Sequence, residues 1–269
     1  MSTADPNLRL PARSCVVIPA RLASTRLPQK LLLSETGKPL IQHTFEAVQQ
    51  ARRPETVWVA TDHREIESVV RAFGGNVEMT DPAASSGTDR VAEVAARLNQ
   101  FDIIVNVQGD EPEISGAAID LAIELLEQNQ QATMSTLATP IRSRTQLEDP
   151  SCVKVVFDQA FRAMYFSRAP IPWPRQWNDD LLQQTPACFH QHIGLYAYRR
   201  EFLLQLASLP VAPMENLECL EQLRVLNAGN EILVGVIDHA AIGIDTQADY
   251  QAFVKRVQQA SAQSRRGGS

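Results

Sequence analysis

The stretch from Cys15 to Lys30, CVVIPARLASTRLPQK, constrains this chain most, because it joins a buried strand to a cationic loop. Its first four residues are apolar and predict a strand, and Pro19, which has no backbone N–H to donate, predicts that the strand ends there. The loop that follows carries Arg21, Arg26 and Lys30 among small residues that leave backbone N–H groups accessible. Such a loop suits a polyphosphate, although three cations are equally typical of a solvated basic turn.

The overall composition indicates one folded domain over residues 1–269, because 44% of the residues are hydrophobic. The formal net charge of −6 argues against nucleic acid or a membrane surface as a partner, since both require a basic face. No run approaches about 18 apolar residues, and residues 1–14 lack the apolar core of a signal peptide, so we expect a cytoplasmic protein. The termini, residues 1–14 and 260–269, are expected to be flexible.

Apolar runs typical of buried strands alternate with apolar residues at helical spacing over the first half of the chain. Asp62 and Glu65 are expected to form a capping box at the start of the second helix. The predicted strands are residues 15–18, 57–60, 77–80 and 103–107. The predicted helices are residues 39–48, 62–73, 89–98 and 117–128. This alternation predicts an α/β fold with a mostly parallel sheet.

The middle of the chain is richer in strand patterns, and the end returns to alternating strands and helices. The segment from about 150 to 200 is expected to form a smaller β-rich insertion, with an ordered loop at residues 171–180, IPWPRQWNDD. The predicted strands here are residues 134–141, 153–157, 162–167, 193–198 and 232–237. The predicted helices are residues 216–227 and 247–258.

Two aspartates follow apolar stretches that are widely separated in the sequence. The predicted strand at residues 103–107 delivers Gln108, Gly109 and Asp110 at its carboxyl end, where open α/β sheets bind ligands. Asp245 follows a late apolar stretch in the same manner. Two carboxylates brought together would hold Mg²⁺, with phosphate oxygens completing its shell. Taken alone, Asp245 fits equally well as the N-cap of the last helix.

The order of residues in the opening loop resembles the signature PAR-x-x-STRLP-x-K of CMP-Kdo synthetases, the 3-deoxy-manno-octulosonate (Kdo) cytidylyltransferases. The chain departs from the family pattern at Gln29, where the family usually has glycine, and at Ala83 and Ala84, where it has an acidic residue and a histidine. The resemblance continues in order from about residue 16 to residue 250. Its motifs are SGTDR at 86–90, VNVQGDEP at 105–112, YFSRA-x-IPW at 165–173, H-x-GLYAYR at 192–199, LEQLR at 220–224 and G-x-DT at 243–246.

This resemblance implies a Rossmann-like nucleotidyltransferase fold and an enzyme that joins CTP and Kdo into CMP-Kdo, with release of diphosphate, for lipopolysaccharide biosynthesis. It also implies a Mg²⁺ site and a homodimer formed through the β-rich segment. The implied catalytic residues are Arg21, Lys30, Asp110 and Asp245, of which the two aspartates bind the metal. The implied nucleotide-binding residues are Pro19, Ala20, Arg21, Arg26, Lys30, Ser86, Gly87, Thr88, Arg90 and Gln108. The implied substrate-binding residues are Arg168, Arg175, His192, Tyr196, Glu221 and Gln222.

Other functions remain to be weighed against this one. The nearest is the same chemistry on sialic acid or on the 8-amino analogue of Kdo, because an acceptor pocket is easily retuned. A non-catalytic nucleotide sensor should have lost the metal-binding aspartates, and both are present. A dinucleotide dehydrogenase is disfavoured because PARLAS, rather than G-x-G-x-x-G, follows the first strand. The sequence does not identify a general base.

Overall fold

The computed structural model describes residues 12–24 and 26–266, which form one mixed sheet with helices on both faces. The predictions of flexible termini fall in part on residues 1–11 and 267–269, which lie outside the described residues. The strands are β1 (Ser14–Ala20), β2 (Thr56–Thr61), β3 (Asn76–Met79), β4 (Ile103–Asn106), β5 (Met134–Pro140), β6 (Lys154–Phe157), β7 (Ala163–Ser167), β8 (His190–Arg199) and β9 (Ile232–Val236). The α-helices are α1 (Leu40–Val48), α2 (Arg64–Ala72), α3 (Gly87–Arg97), α4 (Gly116–Gln128), α5 (Arg144–Glu148), α6 (Arg200–Leu206), α7 (Pro213–Glu218), α8 (Gln222–Asn227) and α9 (Gln247–Arg266). Short 3₁₀ turns lie at Lys30–Leu32 and Asp179–Leu182.

A nine-stranded sheet organises the chain, with the order β3-β2-β1-β4-β8-β5-β9 along its main path. β3, β2, β1 and β4 pair in parallel, as do β5 and β9. β8 runs antiparallel to both of its neighbours, and the hairpin of β6 and β7 pairs with β8. The predicted α/β fold with a mostly parallel central sheet is confirmed. The predicted β-rich segment belongs to this same sheet, because its hairpin joins β8.

The sheet buries apolar side chains on both faces. On β1, Val16 and Ile18 belong to a core shared with α1, α4 and α9, whereas Cys15 and Val17 belong to a core shared with α3 and α6. A strand covered on both faces reads as an unbroken apolar run, which is why β1 was recognisable in the sequence. Among the described residues, no helix has both the length and the apolar character needed to cross a membrane.

The prediction that β1 ends at Pro19 is wrong, because the strand continues to Ala20 and Pro19 pairs with Ala60 of β2. The carbonyl of Val17 accepts a hydrogen bond from Val107, on the β4 side. Backbone groups on a strand alternate in direction, so the backbone nitrogen of Pro19 points to the β4 side, as the backbone groups of Val17 do. It lies just beyond the last paired residue of β4. Its missing N–H therefore removes no ladder hydrogen bond, so proline is tolerated inside the strand.

Three helix boundaries differ from the sequence-based predictions. The side chain of His63, rather than Asp62, caps α2 by accepting a hydrogen bond from the N–H of Glu65. The helix predicted at residues 216–227 is broken into α7 and α8 by Cys219, whose φ of 52° is left-handed. The last helix runs on to Arg266, through most of the C-terminal residues expected to be flexible.

The loop at residues 171–180 is anchored at its distal end. Trp177 stacks against Phe189, with 6.0 Å between ring centroids, and its Nε1 donates to Asp179 Oδ1 over 2.7 Å. Trp173, near the start of the loop, is 79% exposed. The loop therefore carries one tryptophan inward and presents another on the surface.

Candidate active site

Loops at the carboxyl ends of the strands bring two cations and two carboxylates together. Lys30 Nζ donates to Asp110 Oδ2, to Asp245 Oδ1 over 3.1 Å and to the carbonyl oxygen of Ile244 over 2.9 Å. Arg26 Nη2 lies 3.0 Å from the same Asp245 oxygen. The side chain of Lys30 is 14% exposed and that of Asp245 is 45% exposed, so the group opens to solvent beside Asp245. We call Arg26, Lys30, Asp110 and Asp245 the charged cluster.

Local backbone contacts fix Asp110 in this position. A Cβ atom on Gly109 would lie 3.1 Å from the carbonyl oxygen of Pro19, so the close approach of two backbones favours glycine there. Thr44 Oγ1 donates to the carbonyl of Gly109 over 2.8 Å, and the N–H of Ile244 donates to the carbonyl of Asp110 over 2.9 Å. The loop after β4 is thus held between α1 and the segment that precedes α9.

The start of α9 is capped by Thr246 rather than by Asp245. The N–H of Asp249 donates to Thr246 Oγ1 over 3.2 Å, and the N–H of Thr246 donates to Asp249 Oδ2 over 2.8 Å. This reciprocal pattern is a capping box. The carboxylate of Asp245 instead faces Lys30 and Arg26, which excludes the alternative in which Asp245 serves as the N-cap.

The two carboxylates of the charged cluster suit a divalent cation that shares its shell with phosphate. Asp110 and Asp245 both contact the ammonium group of Lys30, so their oxygens lie within reach of one cation. Over residues 12–24 and 26–266, no three His, Cys, Asp or Glu side chains converge to hold a metal ion by themselves. Mg²⁺ is commonly held by one or two carboxylates together with substrate phosphates, and it therefore fits this donor set.

Two cavities meet beside the charged cluster. The smaller, of about 360 Å³, is lined by the cluster itself. The larger, of about 490 Å³, lies between the start of α3, β8 and α8. Arg21, Gly87 and Gln108 line both cavities and therefore mark their junction.

The first turn of α3 forms one wall of the larger cavity. Ser86 Oγ accepts from the N–H of Asp89 over 3.1 Å, and Asp89 Oδ2 accepts from the N–H of Ser86 over 3.2 Å, which caps the helix. Thr88 Oγ1 donates to Glu221 Oε2 over 2.8 Å and links this wall to α8. The structure thus brings the predicted Ser86, Gly87 and Thr88 to the cavity.

Direct contact between Arg90 and the nucleotide stays a prediction. The Arg90 side chain is 1% exposed and lines neither of the two cavities. The guanidinium donates to Thr80 Oγ1 and, over 2.9 Å, to Asp62 Oδ2. Arg90 therefore ties α3 to the loops after β2 and β3. Asp62, which was expected to cap α2, is its ion-pair partner.

Three of the predicted acceptor residues line the larger cavity: Tyr196, Glu221 and Gln222. Tyr196 OH donates to Gln222 Oε1 over 3.4 Å, and burial raises the pKa of the Tyr196 phenol well above its ordinary value. Gln222 Nε2 is buried and has no hydrogen-bond partner among the described residues. An unpaired buried amide is costly, so this position favours a ligand oxygen.

The other three predicted acceptor residues do not line this cavity. His192 is buried, its Nε2 lies 3.0 Å from Thr136 Oγ1, and burial lowers its pKa to about 3, so it is a neutral ring beside Tyr196. The guanidinium of Arg168 donates to backbone carbonyl oxygens. Arg175 is exposed on the loop at residues 171–180. Direct contact between these side chains and the acceptor stays a prediction.

Sequence reasoning passed over Glu111, which directly follows Asp110. Burial and, to a lesser degree, the charge of Asp110 raise the pKa of the Glu111 carboxyl to about 7. Its Oε2 atom is buried without a partner among the described residues. The residue is visible in the motif VNVQGDEP, but only the fold shows that its carboxyl lies in the interior while that of Asp110 joins the charged cluster.

A second pair that the sequence did not single out spans α7 and α8. Arg224 Nε donates to Glu215 Oε2 over 2.9 Å, and Arg224 Nη2 donates to Glu215 Oε1 over 2.5 Å. Both side chains line the larger cavity. Arg224 ends the motif LEQLR, but a partner on the preceding helix is not predictable from spacing, because the two helices are separate elements.

The fold and the charged cluster define a nucleotidyltransferase: cationic and carboxylate groups converge at the strand ends, beside cavities of ligand size. The family model for cytidylyltransferases matches residues 15–232, which include the opening loop, α3 and β4. The chain therefore belongs to the cytidylyltransferase family.

Individual relatives agree with this membership. The chain is 48% identical over 244 residues to a 3-deoxy-manno-octulosonate cytidylyltransferase of Rhodopirellula baltica, covering 90% of this chain and 98% of that one. It is 43% identical over 245 residues to an 8-amino-3,8-dideoxy-manno-octulosonate cytidylyltransferase of Shewanella woodyi, with coverage of 90% and 97%. A solved structure of CMP:2-keto-3-deoxy-manno-octonic acid synthetase complexed with CTP is similar with a TM-score of 0.86 at 39% identity, covering 93% of this chain and all of that one. These matches confirm the resemblance drawn from the motifs.

Proposed function

We propose that this enzyme transfers the cytidylyl group of CTP to Kdo, giving CMP-Kdo and diphosphate for lipopolysaccharide biosynthesis. The observation that carries the proposal is the charged cluster at the junction of two cavities, in a chain 48% identical to a Kdo cytidylyltransferase. The smaller cavity holds charges suited to a triphosphate, and the larger is lined by hydroxyl, amide and carboxylate groups suited to a polyhydroxylated acceptor.

Positioning and charge are what the chain contributes to phosphoryl transfer. Lys30 and Arg26 present cationic groups to the triphosphate, and Arg21 lies at the junction of the cavities, where the α-phosphate and the anomeric hydroxyl of Kdo would meet. Asp110 and Asp245 would hold Mg²⁺, which when bound neutralises charge on the transferring group. The hydroxyl oxygen attacks the α-phosphorus in line, the bond from the α-phosphorus to the bridging oxygen breaks as diphosphate leaves, and the hydroxyl proton is released to water.

The test is diphosphate release measured over a matrix of nucleotides and sugar acids in the presence of Mg²⁺. CTP with Kdo should give the highest kcat/KM of the matrix. Sialic acid and the 8-amino analogue of Kdo are the competing acceptors. A clear preference for either of them would contradict the Kdo assignment, and the absence of diphosphate release with every acceptor would contradict the enzyme assignment.

The relative from Shewanella woodyi makes the 8-amino analogue a second candidate acceptor. An ammonium group at carbon eight would require an unpaired acid in the acceptor cavity. Three acids line that cavity: Glu215 is held in a bidentate pair with Arg224, Asp89 caps α3, and Glu221 accepts the hydroxyl of Thr88. Glu221, which has no cationic partner among the described residues, is the acid that an ammonium group at carbon eight would need, so the comparison of Kdo with its 8-amino analogue decides between the two acceptors.

A cytoplasmic homodimer is the assembly we propose. The support is two exposed apolar side chains on the β-rich segment, Trp173 at 79% and Met164 at 66% exposure. Large exposed apolar side chains commonly mark protein interfaces. Light scattering should give the mass of a dimer for the wild type, and Trp173→Glu should shift the mass towards the monomer. A monomeric wild type would contradict the proposal.

A further inference from the structure

A corner between the end of β7 and the end of α7 joins the β-rich segment to the acceptor wall. β7 ends at Ser167 and is followed by Arg168, while α7 ends at Glu218 and is followed by Cys219. Ser167 Oγ donates to Glu218 Oε1 over 2.6 Å, and the N–H of Arg168 donates to Glu218 Oε2 over 2.8 Å. In the other direction, Arg168 Nε donates to the carbonyl of Glu218 over 2.7 Å, and its Nη2 donates to the carbonyl of Cys219 over 3.5 Å. The contacts interlock two segments that are about fifty residues apart in sequence.

The β7 side of this corner is rigidly supported. Ser167 is 3% exposed, and Lys154, on the neighbouring strand β6, is fully buried. Lys154 Nζ donates to the carbonyl of Arg168 over 2.6 Å, and also to those of Asp149 and Cys152 over 2.9 and 2.6 Å. Because all three of these hydrogen-bond partners are carbonyl oxygens, the ammonium group of Lys154 anchors backbone rather than neutralising an acid. Lys154 on β6 thus fixes the β7 side of the corner to the sheet.

The α7 side of the corner leads directly to the acceptor cavity. Cys219 adopts a left-handed conformation, with φ of 52°, and turns the chain from α7 into α8. The next residues are the buried Leu220 and then Glu221 and Gln222, which line the larger cavity. Because so few residues separate them, a shift of the turn at Cys219 moves the cavity wall.

We propose that Glu218 is a positioning residue that clamps the turn at Cys219 to β7 and so holds Glu221 and Gln222 in register with the acceptor. The catalytic consequence rests on the function proposed above, whereas the clamp itself does not. Glu218 suits this task because its carboxylate and its own carbonyl are both engaged, so one residue supplies acceptors on both sides of the turn. Hydrogen bonds to an ionised carboxylate are the stronger kind.

The kinetic test uses Glu218→Gln, which keeps the shape and one acceptor oxygen but removes the charge, and Glu218→Ala, which removes the carboxylate. We expect KM for Kdo to rise about tenfold in Glu218→Gln and further in Glu218→Ala, with KM for CTP within about twofold of the wild type. A residue that only stabilised the fold would lower the active fraction and the melting temperature without separating the two KM values. Equal changes in both KM values, or no change, would overturn the proposal.

The matched control is Glu148→Gln, which makes the same chemical change at an exposed glutamate that also accepts a hydrogen bond from an arginine, Arg144, on α5. It should leave both KM values unchanged. Hydrogen exchange tests the clamp without any substrate: Glu218→Gln should speed exchange of amides in residues 213–227 but not in α1. Unchanged exchange in that range would refute the clamp. A wild type that does not use Kdo would refute the proposed function, and the exchange comparison would still decide the clamp.

Discussion

The two halves of the site hold their polar groups in different ways. In the phosphate half, which comprises Arg21 and the charged cluster, cations pair with carboxylates at the ends of parallel strands. In the acceptor half, which comprises Tyr196, Glu221 and Gln222, one cation of the cavity wall, Arg224, pairs with Glu215, whereas the nearby Lys154 and Arg168 bind backbone carbonyls.

The difference follows from what each half has to receive. A triphosphate and the proposed Mg²⁺ carry charge, so the phosphate half holds opposite charges that a ligand can re-pair, and part of it is open to solvent. An acceptor rich in hydroxyls needs hydrogen-bonding groups at fixed positions, and around the acceptor half Lys154 and Arg168 hold backbone in place. Substitutions in the phosphate half should therefore lower turnover. Substitutions around the acceptor half should instead alter the positioning of the acceptor or the stability of the fold.

The largest effect is expected in the phosphate half, for Asp110→Asn and Asp245→Asn. Each change removes one of the charges that would hold Mg²⁺, and the loss of metal-mediated stabilisation should slow turnover roughly a thousandfold, or about 4 kcal/mol of barrier. The measurement is kcat at saturating Mg²⁺ and CTP, with circular dichroism to show that the fold is retained.

Asp120→Asn is the control for this pair, because Asp120 accepts hydrogen bonds only from the backbone of Arg52 and Arg53 in the contacts seen here. It should keep near-normal turnover. Near-normal turnover in Asp110→Asn or Asp245→Asn would remove the metal assignment and, with it, the contrast between the two halves.

The phosphate half was the more predictable of the two from sequence. Asp110 follows an apolar run that can only be a buried strand, and the carboxyl ends of parallel strands meet at one edge of a sheet. That rule put Asp110 at the ligand-binding edge of the sheet, and the resemblance put Lys30 in the same site. The end of β1 was misplaced because the tolerance of Pro19 depends on where β4 stops, which is a property of the sheet rather than of the strand.

The motifs of the acceptor half were identified from the sequence, but the contacts that its residues make were not predicted. The partners of Arg168 are backbone carbonyls. Every residue has a backbone carbonyl, so a sequence does not show which of them an arginine will contact. The apolar spacing over residues 216–227 reads as one helix, whereas Cys219 turns left-handed and breaks it. The contacts of Arg90 were not predicted for a related reason: its partners Thr80 and Asp62 belong to separate loops that only the sheet brings together.

The second largest effect is expected for Arg90→Met, which tests whether this arginine is structural. The change leaves Asp62 and Thr80 without their partner, and breaking a largely buried ion pair should lower the free energy of unfolding by about 3 kcal/mol. Denaturant unfolding measures it. Because Arg90 lines neither cavity, KM for CTP should change little. Unchanged stability with a large rise in KM for CTP would instead support direct contact between Arg90 and the nucleotide.

An intermediate effect is expected for Glu111→Gln and should depend on pH. The pKa of Glu111 is raised from 4.5 to about 7, so the folded protein holds a proton between these values that the unfolded chain has lost. The wild type therefore loses stability as pH rises through this window, whereas glutamine does not titrate. The stability of the variant relative to the wild type should grow by about 2 kcal/mol between pH 5 and pH 8.

His192, a buried neighbour of Tyr196, gives the opposite slope and serves as the comparison. Its pKa is lowered from 6.5 to about 3, so the unfolded chain binds the extra proton and the wild type loses stability as pH falls through that range. His192→Gln should remove this loss at acid pH and leave the stability above pH 7 unchanged.

For Glu111→Gln, a stability difference from the wild type that is constant with pH would mean that the Glu111 carboxyl is ionised in the folded protein.

The smallest effect is expected where each half contains a left-handed residue other than glycine. Gln29 and Cys219 both have φ of 52°. Glycine adopts this conformation without steric cost but loses more entropy on folding, so Gln29→Gly and Cys219→Gly should each stabilise the protein by about 0.5 kcal/mol. Differential scanning calorimetry measures the shift.

The kinetic effects of the two variants should differ. Gln29→Gly should leave the kinetics unchanged, since Lys30 is held by three contacts beyond the turn. Cys219→Gly should raise KM for Kdo slightly, because the turn at Cys219 carries Glu221. Destabilisation by Gln29→Gly would show that its side chain, rather than its backbone, holds the loop.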